Sequence, residues 1–595
     1  MIFMPEYTRI AIIDKDKCQP KSCNFLCQRS CPVVRMGQDA IVVVKENVPP
    51  IINEELCTGC GICPNKCPFK AINIINTGIK TGSPLHQYGK NSFRLYSIPF
   101  LEKGVITGII GQNGAGKSTS LNILSGVLVP NLGNYNEKGD IDKVIEYFRG
   151  KELQKHFIDL KNKSVNIAYK VQKIEDIPLV FHDKIIDLLS KVNSSKQDLE
   201  KIVSELDLKD ILYKTPSEVS GGELQRVAIG ATLLKDANLY FFDEFSTFLD
   251  IKQRFKIANL LREKVNPNNS ILFIEHDLAL LDYISDYVYI LFGKKQAYGV
   301  SSNRKTTKLG VNQFLEGFLK EENIRIRNYE ISFVNPQTDK FLSKTPLVSY
   351  PFLEKTIGSF NLKVQGGTIN KGEIIGILGA NAIGKSTFIK MLAGEIFPDN
   401  LSLDISLKVG YKPQYINYSQ DIFVSELFSG NDIDTDVFNT YIKKQLSLEE
   451  IFDKKISEIS GGELQKVAIA HTLSKNVDIF LIDEPSAFLD IEQRLLLANI
   501  IKTIVSVKGV PAFIVDHDLL FVNYVSDRIL LFKGEPGKQG FANKIDSIEN
   551  GFNDFLKEQN MTFRQDQYTK RPRANKIGSQ KDQEQRVQGK YYFTI

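Results

Sequence analysis

The sequence predicts an α/β fold built twice in tandem, behind a small cysteine-rich α+β head. Three observations predict it. A glycine-rich loop of the form G-x-x-x-x-G-K-[ST] occurs twice, each time after a strand-length apolar run and before a helical pattern. Three further blocks recur behind each loop in the same order. All eight cysteines lie between Cys18 and Cys67 of the 595 residues.

Hydrophobic residues make up 42% of the chain and charged ones 24%, enough to bury large cores. The length suits about three to five globular units. No apolar run approaches the ~18–20 residues of a membrane helix, and Glu6, Arg9 and Asp14 interrupt any signal-peptide core. Secretion and membrane insertion are therefore not expected. A reducing cytoplasm is, which makes the clustered thiols metal ligands rather than disulfides. The net charge of +5 sits in one place: Met561–Ile595 holds eight Lys and Arg, among them Lys570, Arg571 and Arg573, against three acids. Such a tail reads as solvated surface or as a contact for RNA phosphates or an acidic partner.

The duplication organises the rest. GQNGAGKST at Gly111–Thr119 recurs as GANAIGKST at Gly379–Thr387, 268 residues later. SGGELQRVAI (Ser220–Ile229) recurs as SGGELQKVAI (Ser460–Ile469), and FFDEFSTFLDIKQR (Phe241–Arg254) as LIDEPSAFLDIEQR (Leu481–Arg494), both 240 residues later. IEHDLALLDYISD (Ile274–Asp286) recurs as VDHDLLFVNYVSD (Val515–Asp527). The first copy thus holds 28 extra residues between its first two blocks. Asp140–Lys163 fits that surplus, and its apolar residues Ile141, Val144, Ile145, Phe148, Leu153, Phe157 and Leu160 follow helical spacing about Gly150. A helix–turn–helix insertion over about 140–165 is expected, either as core cover or as a surface element. Val105–Ile110, Leu239–Phe242 and Ile271–Ile274 read as buried parallel strands and Lys117–Leu124 as a helix.

The loops carry chemistry. Gly111, Gly114 and Gly116, and Gly379 and Gly384, let backbone N–H groups curl around phosphate oxygens at a helix N-terminus. Lys117 and Lys385 are placed to reach β- and γ-phosphates, and Ser118 and Ser386 to ligate Mg²⁺. Asp243 and Asp483 each end an apolar strand, as a Mg²⁺-orienting carboxylate should. Glu244 and Glu484 follow at once, where a carboxylate polarises an attacking water.

In the head, Cys57-x-x-Cys60-x-x-Cys63-x-x-x-Cys67-Pro68 is the bacterial ferredoxin run. In two-cluster ferredoxins the fourth cysteine crosses over. Cys57, Cys60, Cys63 and Cys31 would then share one cluster, and Cys18, Cys23, Cys27 and Cys67 the other. The first run, Cys18-x4-Cys23-x3-Cys27-x3-Cys31-Pro32, departs from ferredoxin spacing. Thiolate sets also suit zinc, but the prolines after both fourth cysteines favour [4Fe–4S].

The repeated blocks resemble ATP-binding-cassette (ABC) ATPases. Ser220-Gly221-Gly222-Glu223 and Ser460-Gly461-Gly462-Glu463 look like the signature that contacts ATP on the opposite cassette. Gln172 in YKVQ and Gln414 in YKPQ resemble the glutamines that sense Mg²⁺ and water, Asp250 and Asp490 the aspartates that cross the interface, and His276 and His517 the γ-phosphate histidines. Asn113, Thr119, Asn381 and Thr387 complete the resembling P-loops. The resemblance implies two composite sites, Lys117 with Ser460 and Lys385 with Ser220. Phe245 stands where the family has proline, as Pro485 does, so an altered loop is expected in copy one.

Head and cassettes together resemble the type-E ABC proteins, ribosome-recycling factors also called RNase L inhibitor-like proteins. DKCQPKSCNFLCQRSCPVVRMG (Asp16–Gly37), CTGCGICPNKCPF (Cys57–Phe69), YFRGKELQKHF (Tyr147–Phe157), QAYGV (Gln296–Val300) and YTKRPRANKIGSQKD (Tyr568–Asp582) carry the likeness. It implies an iron–sulfur domain (1–80), a first cassette (81–295), a hinge (296–330), a second cassette (331–535), and a second hinge with basic tail (536–595). It also implies two [4Fe–4S] clusters, ATP with Mg²⁺, and adenine stacked on Tyr88 with Phe93 and on Tyr350 with Phe360. The implied function is ATP-driven splitting of post-termination or stalled ribosomes by a monomer, with the head as a wedge. The implied partners are the small ribosomal subunit with its RNA and proteins, a release factor or its no-go-decay paralogue, and initiation factors, with no membrane. The implied place is cytoplasmic, with nuclear shuttling open. The alternatives are a transporter ATPase subunit and an ATP-coupled iron–sulfur redox protein.

Overall fold

Leu239–Asp243 and Ile479–Asp483 are buried along their whole length, as parallel strands covered on both faces must be. The computed structural model describes residues 9–592 except 14–16, 54–55, 77–82, 194, 296, 332, 334–344, 402–406, 417 and 419–420. Glu6, Asp14, Asp16 and Gln296 lie outside the described residues. In the first cassette the parallel strands run in the order Ile167–Lys170, Leu239–Asp243, Ser270–Ile274, Ile106–Gly111 and Tyr287–Lys294. Tyr298–Ser301, Arg94–Leu95 and His86–Gln87 extend that edge. The second cassette repeats the order with Val409–Lys412, Ile479–Asp483, Ala512–Val515, Ile374–Leu378 and Arg528–Glu535, then Gln539–Ala542, Phe360–Val364 and Leu353–Ile357. The boundaries drawn at 295 and 535 are therefore too early. Tyr298–Ser301 and Gln539–Ala542 are ladder strands of the cassette sheets, because their antiparallel pairing satisfies backbone groups that would otherwise face an open edge.

The extra residues of the first copy form helices Ile141–Tyr147 and Leu153–Lys161, which turn at Gly150 with φ +74°. Val144, Phe148, Leu153 and Phe157 are buried with Leu121, Ile123 and Leu124 of the P-loop helix. Phe148 stacks on Phe157 at 5.1 Å, and His156 Nε2 lies 2.9 Å from the Leu124 carbonyl. The insertion is thus anchored to the P-loop helix by one face and leaves Lys143, Arg149 and Lys151 in solvent. In the head, Arg9–Ile13 pairs antiparallel with Ile72–Asn76. Ile12 packs on Ala297 and Tyr298 at the edge of the first cassette, while Lys17 pairs with Glu450 of the second at 2.7 Å.

The basic tail is not a solvated arm. Phe563–Gln565 and Pro572–Ala574 pair as a hairpin, and helix Gln580–Val587 follows. Pro572–Ala574 lies against helix Leu278–Ile284 of the first cassette. Arg571, with no exposure, pairs with Asp282, and Arg573 pairs with Asp282 at 2.9 Å and with Asp566 at 3.3 Å. The reading of Arg571 and Arg573 as RNA contacts is therefore corrected: two guanidiniums share one buried carboxylate, and charges with no access to water must be paired inside the protein. Lys570, Lys576, Lys581 and Lys590 remain exposed. Asp282→Ala would strand Arg571 and leave Arg573 with Asp566 alone, and is expected to cost about 3–5 kcal/mol of tail docking. Limited proteolysis should show the segment after Met561 released faster; a rate equal to that of the native chain contradicts the clamp.

Candidate functional site

Each P-loop follows the central strand of its sheet and starts a helix at a glycine with positive φ: Gly116 at +94° and Gly384 at +97°. A Cβ at Gly116 would sit 2.7 Å from Phe93 Cζ, and one at Gly384 3.1 Å from Phe360 Cζ. Phe93 and Phe360 are thus equivalent rings laid against the loops. Tyr88 is exposed, with its hydroxyl 3.2 Å from Thr119 Oγ1. Tyr350 is not a counterpart of Tyr88. Its ring is buried 5.4 Å from Phe388 and 6.1 Å from Phe513, so its place as an adenine platform is corrected to core packing. Burying an aromatic face is worth about 1.5–3 kcal/mol, and strand Pro346–Tyr350 turns it inward.

Lys117 Nζ donates to the carbonyls of Gly111 at 2.8 Å and Gln112 at 3.0 Å, and Lys385 Nζ to those of Gly379 at 3.0 Å and Ala380 at 2.5 Å. Burial pushes both ammonium groups down, Lys385 to about 8, while carboxylates from the opposite cassette, Asp490 and Asp250, push back. Ser118 and Ser386 face Asp243 and Asp483. Burial raises both carboxyls, that of Asp243 to about 6, and Oδ1 of each has no hydrogen-bond partner. A buried, bare carboxylate oxygen beside a hydroxyl is a donor set that fits a hard divalent cation.

The next residues are matched pair for pair. Gln172 Nε2 donates to Glu244 Oε1 at 2.9 Å, and Gln414 Nε2 to Glu484 Oε1 at 2.8 Å. His276 Nε2 and His517 Nε2 each lie 3.6 Å from the same glutamate's Oε1. Burial lowers both imidazoles, which favours the neutral ring. Both glutamates hold φ +48°, and Phe248 and Phe488 hold +65° and +62°. The altered loop expected at Phe245 is therefore absent. Its ring is buried 6.1 Å from Phe242 and 5.8 Å from Phe273, so the core absorbs it without moving the backbone.

Ser220 and Ser460 cap helices Gly221–Leu234 and Gly461–Ser474, with Glu223 and Glu463 closing capping boxes. Glu463 also lies 3.8 Å from Lys295, whose side chain borders Gly114, so the second signature faces the first P-loop. The interface is tied by two reciprocal bonds. Asp250 Oδ2 accepts from Asn381 N at 3.1 Å, and Asp490 Oδ2 from Asn113 N at 3.1 Å.

Sequence reasoning left four groups unassigned. Lys170 donates to the carbonyls of Asp243 and Glu244, and Lys412 to those of Asp483 and Glu484, each at 2.7–3.2 Å; burial pushes both lysines down to about 8. Arg254 and Arg494 bind Asp277 and Asp518 at 3.1 and 2.7 Å, and Arg254 reaches the His517 carbonyl at 3.3 Å. The repeated YK and QR pairs were the available signal.

In the head, Cys18, Cys23, Cys27 and Cys67 line one small apolar recess with Ile13, Phe25 and Ile72. Burial raises Cys63 to about 12, with Cys57 and Cys60 and then Cys27 and Cys31 adding repulsion; burial likewise raises Cys27 to about 11. Thiols buried and crowded in this way ionise only beside a cationic centre, which fits an iron–sulfur group.

A family model described as ABC transporter matches residues 100–247 and 362–487. Models for a possible Fer4-like domain in RNase L inhibitor and for a 4Fe-4S binding domain match 8–39 and 50–73. The cassettes thus bind ATP and the head is of the [4Fe–4S]-binding kind. The chain is 48% identical to an uncharacterized ABC transporter ATP-binding protein of Methanocaldococcus jannaschii, over 99% of this chain and 98% of that one. It is 41% identical to translation initiation factor RLI1 of Chaetomium thermophilum, over 98% and 97%. Among solved structures, the model of ribosome-bound archaeal Pelota and ABCE1 superposes with a TM-score of 0.93 at 46% identity, covering 99% of this chain and all of that one. Similar over almost its whole length to these proteins, the chain belongs to the ABCE1 family, the RNase L inhibitor (RLI1) branch of the ABC ATPases.

Proposed function

We propose that the protein is an ATP-driven recycling factor that separates ribosomal subunits beside a release factor or a Pelota-type paralogue, and then stays on the small subunit. The observation that carries the reading is the reciprocal pair of bonds donated by Asn381 N to Asp250 and by Asn113 N to Asp490. It ties each P-loop to the other cassette, so nucleotide bound at either loop acts on the interface. The relatives support the ribosomal assignment: one is a translation initiation factor, and another is an ABCE1 bound to the ribosome with Pelota. A further part in initiation, beside initiation factors, is the reading that the first relative's name supports.

One site combines Lys117, Asp243, Glu244, Gln172 and His276 with Ser460 and Gly462; the other combines Lys385, Asp483, Glu484, Gln414 and His517 with Ser220 and Gly222. On binding, each lysine exchanges its own loop carbonyls for phosphate oxygens, and the signature serine meets the γ-phosphate from the far side. Mg²⁺, held by Ser118 with Asp243 and by Ser386 with Asp483, supplies neutralisation of phosphate charge. Gln172 and Gln414 orient the glutamates, which accept a proton from the attacking water. The clusters, one on Cys18, Cys23, Cys27 and Cys67 and one on Cys31, Cys57, Cys60 and Cys63, supply rigidity to the head. Because the head touches both cassettes, through Ile12 and through Lys17, their closure displaces it. ATP drives this by preferring the closed state. The hinge segments that follow Tyr298–Ser301 and Gln539–Ala542, with the exposed lysines of the tail, position the protein on ribosomal RNA without reading its sequence.

Glu244→Gln and Glu484→Gln are expected to slow turnover at their own sites by about 10²–10⁴ while ATP still binds. Single-turnover assays check this; native turnover in the double variant removes both glutamates from the mechanism. Full-length protein with ribosomes, release factor and ATP should yield separated subunits on a gradient, whether the clusters are oxidised or reduced. Splitting only in the reduced state would favour the redox reading, and co-purification with membranes but not small subunits the transporter reading.

A further inference from the structure

The two nucleotide sites are duplicates, yet one is wired differently. Gln112 stands in the first P-loop where the second has Ala380, and Glu492 stands in the second cassette where the first has Lys252. Gln112 Nε2 donates to Glu492 Oε2 at 2.7 Å. Asn113 N donates to Asp490 at 3.1 Å, so two successive residues of this P-loop are held by two carboxylates of the facing helix. The other oxygen, Oε1, accepts from the Tyr329 hydroxyl, and Arg327 Nε lies 3.9 Å from Oε2. Burial, then the bond to Glu492, pushes Tyr329 up to about 12, so its hydroxyl stays a donor.

Arg327 and Tyr329 lie in the linker between the cassettes. The Arg327 side chain is buried and donates to the carbonyls of Phe314 and Leu315, at the end of linker helix Thr307–Glu316. On the far side, the Gln112 carbonyl accepts from Lys117 Nζ at 3.0 Å. A continuous path of polar contacts therefore runs from the linker through Glu492 and Gln112 to the P-loop lysine. Bonds to a charged acceptor are the strong kind, and the Glu492 side chain is only 18% exposed. At the Lys385 site Ala380 has no side-chain donor and Lys252 is exposed, so the path is absent there.

We propose that Glu492 is a positioning residue for the Lys117 site alone, joining the inter-cassette linker to that P-loop, so that linker displacement on a bound ribosome changes ATP affinity at one site only. The inference rests on the reading of both loops as ATP sites. The test uses the full-length holoprotein with hydrolysis confined to one site: Glu484→Gln leaves the Lys117 site to be read, and Glu244→Gln the Lys385 site. In the first background Glu492→Ala should raise KM for ATP about tenfold, with kcat changed less than about twofold. Glu492→Gln, which keeps an acceptor for Tyr329, should restore part of the loss. Gln112→Ala should match Glu492→Ala, and the pair should be no worse than either alone, since both cut one path. In the Glu244→Gln background KM should not move. An equal rise in both backgrounds, no rise in either, or additive effects of Gln112→Ala and Glu492→Ala overturns the inference and leaves the ATPase reading standing. No hydrolysis in the two parent backgrounds overturns that reading, and the inference with it.

Discussion

The molecule depends on two carboxylates that each do two things. Oδ1 of Asp250 caps helix Ile251–Lys264 by accepting from Gln253 N, while Oδ2 accepts from Asn381 N across the interface. Asp490 repeats this with Gln493 and Asn113. A buried charge must be bonded on all sides, so neither aspartate can release the opposite P-loop without exposing itself to solvent. Helix geometry, loop geometry and cassette spacing are thereby set together. Arg254 and Arg494 carry the constraint onward to Asp277 and Asp518, which cap the helices behind His276 and His517.

Around that symmetric clamp the two halves differ where packing allows it. Phe245 and Pro485 occupy the same place, and the backbone is the same because one is tied by its ring and the other by its fixed φ. Glu275 and Asp516 both accept from a serine of the loop after the preceding strand, Ser246 or Ser486, although their side-chain lengths differ. Two of the differences that reach the nucleotide are peripheral: the insertion behind the first P-loop helix, and the linker contacts of Glu492. Asymmetry thus enters through what is attached to the cassettes, and also inside them. There burial pushes Glu484 up to about 7, while His276 and Lys117, against the same burial, help hold Glu244 below the usual carboxylate range.

Side-chain type and spacing disclosed the strands, both P-loops, the paired carboxylates and the cysteine-rich head, because each is a local pattern tied to a local need. A strand buried on both faces must be apolar throughout, and a loop around phosphate must have glycine where φ is positive. Tyr350 was illegible for the opposite reason. An aromatic near a P-loop serves equally as base platform or core, and only the inward turn of Pro346–Tyr350 decides between them. Arg571 and Arg573 look like RNA contacts in a basic tail, because their partner Asp282 lies nearly 300 residues away.

By itself the sequence determined the chemistry available: two phosphate-binding loops, two acidic pairs at strand ends and a run of eight clustered cysteines, each a pattern of residues close in the chain. The tertiary structure decided how those sets meet. It brought Asp490 to the first P-loop and Asp250 to the second, folded the cationic tail onto the first cassette, and connected Glu492 to only one of two similar loops. These are contacts between distant segments, and their geometry follows from how the sheets and helices pack, which local spacing does not encode.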